Sequence, residues 1–170
     1  MSRRTRANLL RAIYEESRRL QIDQEIFGSA IAEVAGLNRT SWRCLDILGV
    51  RGSMTAGELA AAAHLTTGAV TAVVDQLEAR RFVRRSRDSR DGRVVILEVT
   101  DEARQAGAPI YEPMRSDSAT ALHDFTTAEL EIVLEFLGRQ RTLLMKQSER
   151  VHGMLANTVL IGHPRARAVR

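Results

Sequence analysis

Apolar residues recur at helical spacing along most of the chain, and this periodicity predicts a mainly α-helical protein. The first pattern covers residues 3–35 and slips near residues 21–24, so it fits either one long bent helix or two shorter helices. Between residues 82 and 99 the pattern changes to two short apolar runs, which predict a pair of β-strands. The remaining helical patterns cover residues 40–49, 55–63, 66–80, 101–125 and 126 to beyond 150.

Two of the predicted helices have a recognisable start. Thr55 and Glu58 have the spacing of a capping box, and Thr126 and Glu129 repeat it further along the chain. In this motif the threonine hydroxyl and the glutamate carboxylate each accept a hydrogen bond from a backbone N–H group at the helix N-terminus. The sequence therefore predicts helix N-termini at both places.

The pattern over residues 101–125 contains two prolines, Pro109 and Pro113. Proline has no backbone N–H to donate, and its ring clashes with the preceding turn of a helix. We therefore expect the helix to break or kink at these positions unless they lie in first turns.

Residues 55–80 have the dimensions of a helix-turn-helix, since only His64 and Leu65 separate the two predicted helices. The hairpin that follows has its tip at residues 87–93. Asp91 and Gly92 favour a tight turn there, because both tolerate the positive φ that hairpin turns require.

Positive charge is concentrated in the same region. The 170-residue chain has a net charge of +4 and a pI of about 10.1, and it contains a single lysine, Lys146. Residues 80–93 contain seven arginines and two aspartates, a net charge of +5. An arginine-rich hairpin directly after a helix favours double-stranded DNA as the partner, because cationic side chains can contact its phosphates and grooves.

This segment resembles the winged helix-turn-helix of the MarR family of bacterial transcription regulators. The resemblance rests on LTTGAVTAVVDQLE at residues 65–78, and on DSRDGR at residues 88–93 followed by alternating apolar residues and Thr100. It implies a mainly α fold with a small β wing, in which residues 38–100 form the DNA-binding domain. Residues 1–37 and 101–156 would form a helical dimerisation region. Residues 157–170 are predicted from their own composition, with Pro164 and three arginines, to form a basic tail. The resemblance also implies a homodimer, usually a repressor, on a pseudo-palindromic operator.

The predicted DNA contacts lie at the start of the second helix and at the hairpin tip. Threonine hydroxyls and methyl groups can contact phosphates and base edges in the major groove, and arginines can enter the minor groove. Asp88 is expected to pair with one of the tip arginines and orient it. The alternative is an ordinary solvated surface. The proposed contacts are Thr66, Thr67, Gly68, Ala69, Thr71, Arg87, Arg90 and Arg93.

Two positions depart from the family pattern. Members often have a basic residue where this chain has Ala72 or Gln76, so we expect the wing to supply more of the affinity. Arg81 stands where the family usually has glycine, which requires another way for the chain to leave the helix. Arg84 and Arg85, together with Arg87, are expected to add general positive charge.

The resemblance also implies a small aromatic or phenolic effector that relieves repression. Its candidate pocket would lie between the winged domain and the dimerisation helices. The alternative for each candidate residue is ordinary core packing. The candidates are Tyr14, Trp42, Met54 and Tyr111.

Other function classes have less support. Cys44, the one cysteine, excludes an internal disulfide, and packing inside a helix is a better interpretation than a redox switch. The four histidines lack metal-binding spacing, and no catalytic motif is present, so we expect no cofactor and no enzyme activity. Without a membrane-length apolar run or a signal peptide, a cytoplasmic protein is expected. A winged-helix module that binds an acidic protein is the alternative function.

Overall fold

The computed structural model describes residues 5–89 and 91–160, with side chains as far as Met154. Within these residues the chain forms six helices and a two-stranded antiparallel hairpin, which confirms the predicted fold class. The first helical pattern is a single continuous helix. The elements are α1 (Arg6–Val34), α2 (Arg39–Arg51), α3 (Ala56–Ala63), α4 (Thr67–Ala79), β1 (Val83–Arg87), β2 (Val95–Val99), α5 (Asp101–Ala121) and α6 (Thr127–Leu160).

Both predicted capping boxes are formed. At α3 the Thr55 Oγ1 accepts from the Glu58 N–H at 3.2 Å, and the Thr55 N–H donates to the Glu58 carboxylate at 2.7 Å. At α6 the Thr126 N–H donates to the Glu129 carboxylate at 2.8 Å, and the Glu129 N–H donates to Thr126 Oγ1 at 3.3 Å. These reciprocal bonds satisfy N–H groups that have no partner inside the helix, and so they set where each helix begins.

The hydrophobic core lies where α2, α3 and α4 pack against the base of the hairpin. Apolar residues at helical spacing on α4 are buried, as the sequence pattern predicted. The hairpin contributes Val83 and Leu97, which face the same core. A two-stranded hairpin is marginal in water, so this packing is what stabilises it. The fully buried side chains are Ser41, Cys44, Leu48, Leu59, Val70, Val74, Leu77, Val83 and Leu97.

Met54 adds a short third segment to the sheet. Its backbone exchanges hydrogen bonds with Leu97, at 3.3 Å and 2.8 Å, on the side of β2 opposite to β1. The Met54 side chain is buried in the core. This isolated bridge fastens the hairpin to the residue that precedes α3, so the wing and the helix-turn-helix share one packed unit.

The expected break at the prolines does not occur, because α5 is helical from Asp101 to Ala121 through both Pro109 and Pro113. The two prolines are exposed and four residues apart, so they lie on the same side of the helix. The carbonyl groups that lose a donor are those of Gln105 and Pro109. Water can hydrogen-bond to carbonyls on an exposed face, which makes the loss tolerable there.

Three helices end in the same way, with a left-handed residue just after the helix. The bonding pattern is that of a Schellman motif, in which this residue and the next return their N–H groups to the last turn. At α4, for example, the Arg81 and Phe82 N–H groups donate to the carbonyls of Glu78 and Leu77, both at 2.9 Å. The left-handed residues are Gly36 (φ 62°), His64 (φ 52°) and Arg81 (φ 58°). The chain therefore leaves α4 at Arg81 in the same way as at the glycine that is usual in the family, because the arginine itself adopts the left-handed conformation.

Arg81→Gly is expected to raise the free energy of unfolding by about 1 kcal/mol. The left-handed conformation costs an L-residue about 1–2 kcal/mol, and glycine removes this cost. Glycine also increases the conformational entropy of the unfolded chain, which offsets part of the stabilisation. Denaturant unfolding measures the change. The opposite exchange, Gly36→Ala, is the matched control and should destabilise, because its Cβ would also lie 2.7 Å from Arg80 Nη1. An unchanged or lower stability of Arg81→Gly would contradict the assignment of strain to this residue.

The chain divides into two compact units, residues 1–111 and 112–170, with the boundary inside α5. The first unit therefore contains α1 together with the helix-turn-helix and the hairpin. The segment predicted as a tail, residues 157–170, begins inside α6, which continues to Leu160, and its last ten residues lie outside the described part. None of the described helices combines the length and the apolar content that crossing a membrane needs.

Candidate nucleic-acid interface

One face of α4 is open to solvent while the opposite face is buried. Val70, Val73, Val74 and Leu77 point into the core, which leaves the positions between them on the surface. The residues predicted to contact DNA lie on this open side at the start of the helix, and Ala69 among them is half-buried. Apart from the adjacent residues and the backbone of α4 itself, no described atom lies within 4 Å of the position that a Cβ would take at Gly68. A nucleic-acid backbone or base edge can therefore approach the helix closely at this point.

The threonine hydroxyls are partly used within the helix itself. Thr66 caps α4, and its Oγ1 accepts from the Ala69 N–H at 3.3 Å. The Thr71 hydroxyl donates to the Thr67 carbonyl at 3.0 Å. The Thr66 hydroxyl hydrogen and the Thr71 oxygen lone pairs are still open to a ligand, because each hydroxyl both donates and accepts. The first turn can therefore donate to phosphate, as exposed helix N-termini do.

Gln76 has a structural role that the sequence did not reveal. Its Oε1 accepts from Ser41 Oγ at 2.6 Å and from Asn38 Nδ2 at 3.3 Å. These bonds connect α4 to the N-terminus of α2, where Asn38 also caps that helix. The amide oxygen is therefore occupied in positioning α4, while Ala72 on the exposed face offers only a methyl group. Neither position supplies the basic reading group that is frequent in the family.

The described part of the hairpin tip is held by bonds within the turn. Arg93 pairs with Asp91, with Nε 3.1 Å from Oδ1, and this contact lowers the pKa of the Asp91 carboxyl. Arg87 Nη1 donates to the Gly92 carbonyl at 2.6 Å, and Asp88 Oδ1 accepts from the Asp91 N–H at 3.2 Å. Asp91 thus orients Arg93, whose side chain is 91% exposed. Arg90, a predicted contact, lies outside the described residues.

Two of the three arginines assigned to general charge, Arg84 and Arg85, are instead neutralised within the fold. Arg84 Nε donates to the Glu98 carboxylate at 2.9 Å, directly across the hairpin. Arg85 pairs with both Asp75 and Glu78 of α4. The net charge of +5 counted over residues 80–93 therefore overstates what is available to a partner. The sequence pattern that could have predicted the Arg85 ion pairs is two carboxylates three residues apart on a helix, Asp75 and Glu78, followed by an arginine on the next strand.

Arg80 also has a partner within the fold, because its Nη1 donates to the Ala35 carbonyl at 3.1 Å. This carbonyl lies at the C-terminus of α1, where a cation is favoured by the helix dipole. The bond connects the end of α1 to the end of α4. The positive groups that the structure leaves at the surface of the hairpin are thus concentrated toward its tip.

Two of the four effector-pocket candidates are in direct contact. Trp42 and Tyr111 stack, with ring centroids 6.5 Å apart and planes 14° from parallel. Burial raises the pKa of Tyr111 to about 12, and the negative charge of Asp46 adds to the shift. Met54 packs in the core, which was the alternative to a pocket role for this residue. Its bridge to Leu97 turns its side chain inward. Tyr14 is 68% exposed on α1.

Cys44 is fully buried in the core, and this burial raises the pKa of its thiol. A thiol of raised pKa is protonated at neutral pH and reacts slowly with oxidants, because the thiolate is the reactive form. The structure thus favours core packing over a redox switch at this position. Across the described residues, no three or more potential metal-ligating side chains cluster together.

A three-helix core, a helix-turn-helix with an open second helix and an arginine-tipped hairpin beside it define a winged helix-turn-helix protein. Residues 37–95 match the family model described as the MarR family. Over 150 residues the chain is 31% identical to an uncharacterized HTH-type transcriptional regulator, YcgE, of Bacillus subtilis. That alignment covers 88% of this chain and 97% of the relative. The chain belongs to the MarR family of winged helix-turn-helix transcriptional regulators, which bind DNA and typically dimerise.

Solved structures show the same fold. A MarR family protein from Bacillus stearothermophilus superposes with a TM-score of 0.60 at 20% identity, covering 84% of this chain and 99% of the other. The transcriptional regulator BldR from Sulfolobus solfataricus gives a TM-score of 0.51 at 26% identity, over 82% and 99% of the two chains. These likenesses extend beyond residues 37–95 to the flanking helices. The family assignment makes the chain a DNA-binding regulator and not an enzyme.

Proposed function

We propose that the chain is a homodimeric repressor that reads a pseudo-palindromic operator through α4 and the hairpin tip of each subunit. The observation that carries this proposal is the placement of the two parts. The open face of α4 and the exposed arginine tip belong to one packed unit, and Arg85 joins the hairpin directly to α4. A helix and an arginine-bearing hairpin so joined suit adjacent major and minor grooves of a duplex.

The proposed contacts divide into two kinds. Thr66, Thr67 and Gly68 would position the helix on phosphates, since they surround its N-terminus, whereas Thr71 one turn later would meet base edges. Arg93 and Arg87 would bind phosphates or the minor groove, and Arg90 is assigned to the same role from its place in the sequence. Because phosphate contacts carry no sequence information, specificity is assigned mainly to Ala69, Thr71 and the shape of the groove.

Apolar residues on the flanking helices support a homodimer. On α1, Ile13, Leu20, Phe27 and Val34 follow one another at intervals of seven residues, and all are exposed in the single chain. On α6, Leu137, Leu144 and Val151 show the same interval and are also exposed. Apolar stripes with a seven-residue repeat are typical of helices that pack against partner helices. We assign these stripes to contact with a second copy, which corresponds to the predicted dimerisation region at residues 1–37 and 101–156.

We also propose a small-molecule effector, whose site would involve two of the four candidate residues. Trp42 and Tyr111 form the aromatic pair next to which a small aromatic or phenolic molecule would bind, and Tyr14 and Met54 no longer belong to that site. Such a ligand would act only if it binds the DNA-incompetent arrangement of the dimer more tightly than the competent one. A repressor is released in this way when the two α4 helices lose the spacing that the operator requires.

Selection of bound duplexes from random DNA tests the proposal. A specific reader should enrich a sequence with twofold symmetry and half-sites about one helical turn apart. The affinity for the enriched duplex should fall with salt at a slope near −0.9 per phosphate contact, and scrambled competitor should bind more weakly. Enrichment of no sequence, or an affinity that salt does not change, would contradict the proposal and favour a protein-interaction module.

Thr71→Ala is expected to change which base is preferred at one position of each half-site, by about 1–3 kcal/mol. The hydroxyl oxygen and methyl group of Thr71 lie on the open face of α4, whereas the change leaves the phosphate-binding groups in place. Selection from random duplexes compares the two proteins, and binding to non-specific DNA is the control that should not move. An unchanged preference at every position would remove Thr71 from the reading residues.

A further inference from the structure

The core-facing side of the hairpin loses its apolar contacts part of the way along its length. Residues directly opposite each other share one side of an antiparallel pair, so the pairs Val83–Val99, Arg85–Leu97 and Arg87–Val95 form one row. Leu97 is 1% exposed, whereas Val95, one pair closer to the tip, is 49% exposed. Apolar packing therefore fixes the base of the hairpin but not the half that contains the tip.

Arg85 lies at the point where this packing ends, and it reaches α4 with three hydrogen bonds. Its Nη2 donates to Asp75 Oδ1 at 2.7 Å, and its Nη1 donates to Glu78 Oε2. Its backbone N–H also donates to Glu78 Oε1 at 3.4 Å. These contacts raise the pKa of the Arg85 guanidinium, the bond to Asp75 contributing most. A planar guanidinium can bind two carboxylates at fixed angles, which a lysine ammonium cannot do.

The acceptors lie beside the proposed reading face. Asp75 is exposed and follows Thr71 by one helical turn on α4. Arg84, the neighbour of Arg85, points to the other side of the hairpin, and its ion pair within the described part of the chain is with Glu98, across the hairpin. The two adjacent arginines therefore differ in one respect that matters here: only Arg85 connects the hairpin to α4.

We propose that Arg85 is a positioning residue for DNA binding, which holds the hairpin tip in register with the open face of α4 so that both engage one duplex at once. The inference rests on the proposed function and deepens it. A hairpin tip that is already positioned for the minor groove binds DNA without the entropic cost of ordering the hairpin. The binding free energy of its contacts then adds to that of the α4 contacts. Arg85 itself makes no contact with DNA in this account.

A double-mutant cycle on the full-length protein tests the proposal. The tip variant is R87A/R93A, the positioning variant is R85Q, and R84Q is the matched control on the opposite side of the hairpin. We expect R85Q to weaken binding to the selected duplex about tenfold, and to cost almost nothing further in the R87A/R93A background, because residues that act through each other are not additive. R84Q should leave the affinity within about twofold.

A second comparison separates positioning from simple charge repulsion, since R85Q leaves two carboxylates unpaired near DNA. The triple variant R85Q/D75N/E78Q removes that charge and should remain about as weak as R85Q. Recovery of parent affinity in the triple variant would overturn the proposal, as would equal losses from R85Q with and without the tip arginines, or no loss at all. If the parent binds no duplex, the proposed function itself fails, which is a different result.

Discussion

Leu144→Glu is expected to convert the proposed dimer into a monomer at micromolar concentration. Leu144 lies in the middle of the seven-residue stripe on α6 and is half exposed in the single chain. In a twofold dimer the new carboxylate would occur twice in an apolar interface, where an unpaired charge costs several kcal/mol. We therefore expect the dimer dissociation constant to rise by at least about 1,000-fold.

Sedimentation or light scattering measures this change, and operator binding gives a second readout. A monomer engages one half-site at a time, so the affinity for the full operator should fall by about 100-fold or more. The matched control is Thr142→Glu, which adds the same charge to another face of α6 and should remain dimeric. If Leu144→Glu stays dimeric while it is folded, the α6 stripe is not the interface.

The second large effect is expected from the hairpin tip. Arg87→Ala with Arg93→Ala should weaken binding to every duplex by about 10- to 100-fold at moderate salt, with little change in which sequence is preferred. Arg93 is almost fully exposed, and Arg87 bonds to a carbonyl of the turn, so neither change should disturb the core. The slope of log affinity against log salt should become shallower by about 0.9 for each phosphate contact that is lost.

Arg84→Ala is the control for this experiment, because Glu98 already neutralises its charge on the outer side of the hairpin. Thermal unfolding should show the same midpoint for the double variant and the parent within a few degrees. A double variant that keeps the parent's affinity and salt slope would mean that the hairpin tip does not contact DNA.

Local signals in the sequence predicted the helices and the open face of α4 well. The capping boxes at Thr55 and Thr126 were correct because the groups that form them lie within three residues of each other. The alternation of buried and open positions on α4 was equally local. The family motif then identified the hairpin as a wing, which periodicity alone could describe only as two short strands.

The errors concern contacts between distant residues or unusual backbone conformations. The partners of Arg85 and Gln76 lie on other elements, so no neighbouring residue indicated them. Arg81 and His64 end their helices in the left-handed conformation that normally identifies itself by glycine. A break of α5 at Pro109 was one of the two expected outcomes, a break or a kink, and the break does not occur. The sequence did not show that the proline would lie on an exposed face of the helix.

At the effector site, too, the position of Met54 depends on a contact with a residue distant in the sequence. It was grouped with three aromatic residues on chemical grounds, yet its backbone bridge to Leu97 turns its side chain into the core. Trp42 and Tyr111, nearly seventy residues apart, do stack as a shared site would require. Residue type thus suggested candidates, and only the three-dimensional pairing could choose among them.

Hydroxyl-radical and methylation footprinting of the parent on its selected duplex tests the central claim most directly. Two subunits that each read through α4 and the hairpin should protect two major-groove segments about one helical turn apart, related by twofold symmetry, with protected minor groove beside each. A single protected segment, or protection spread evenly along any sequence, would contradict the account.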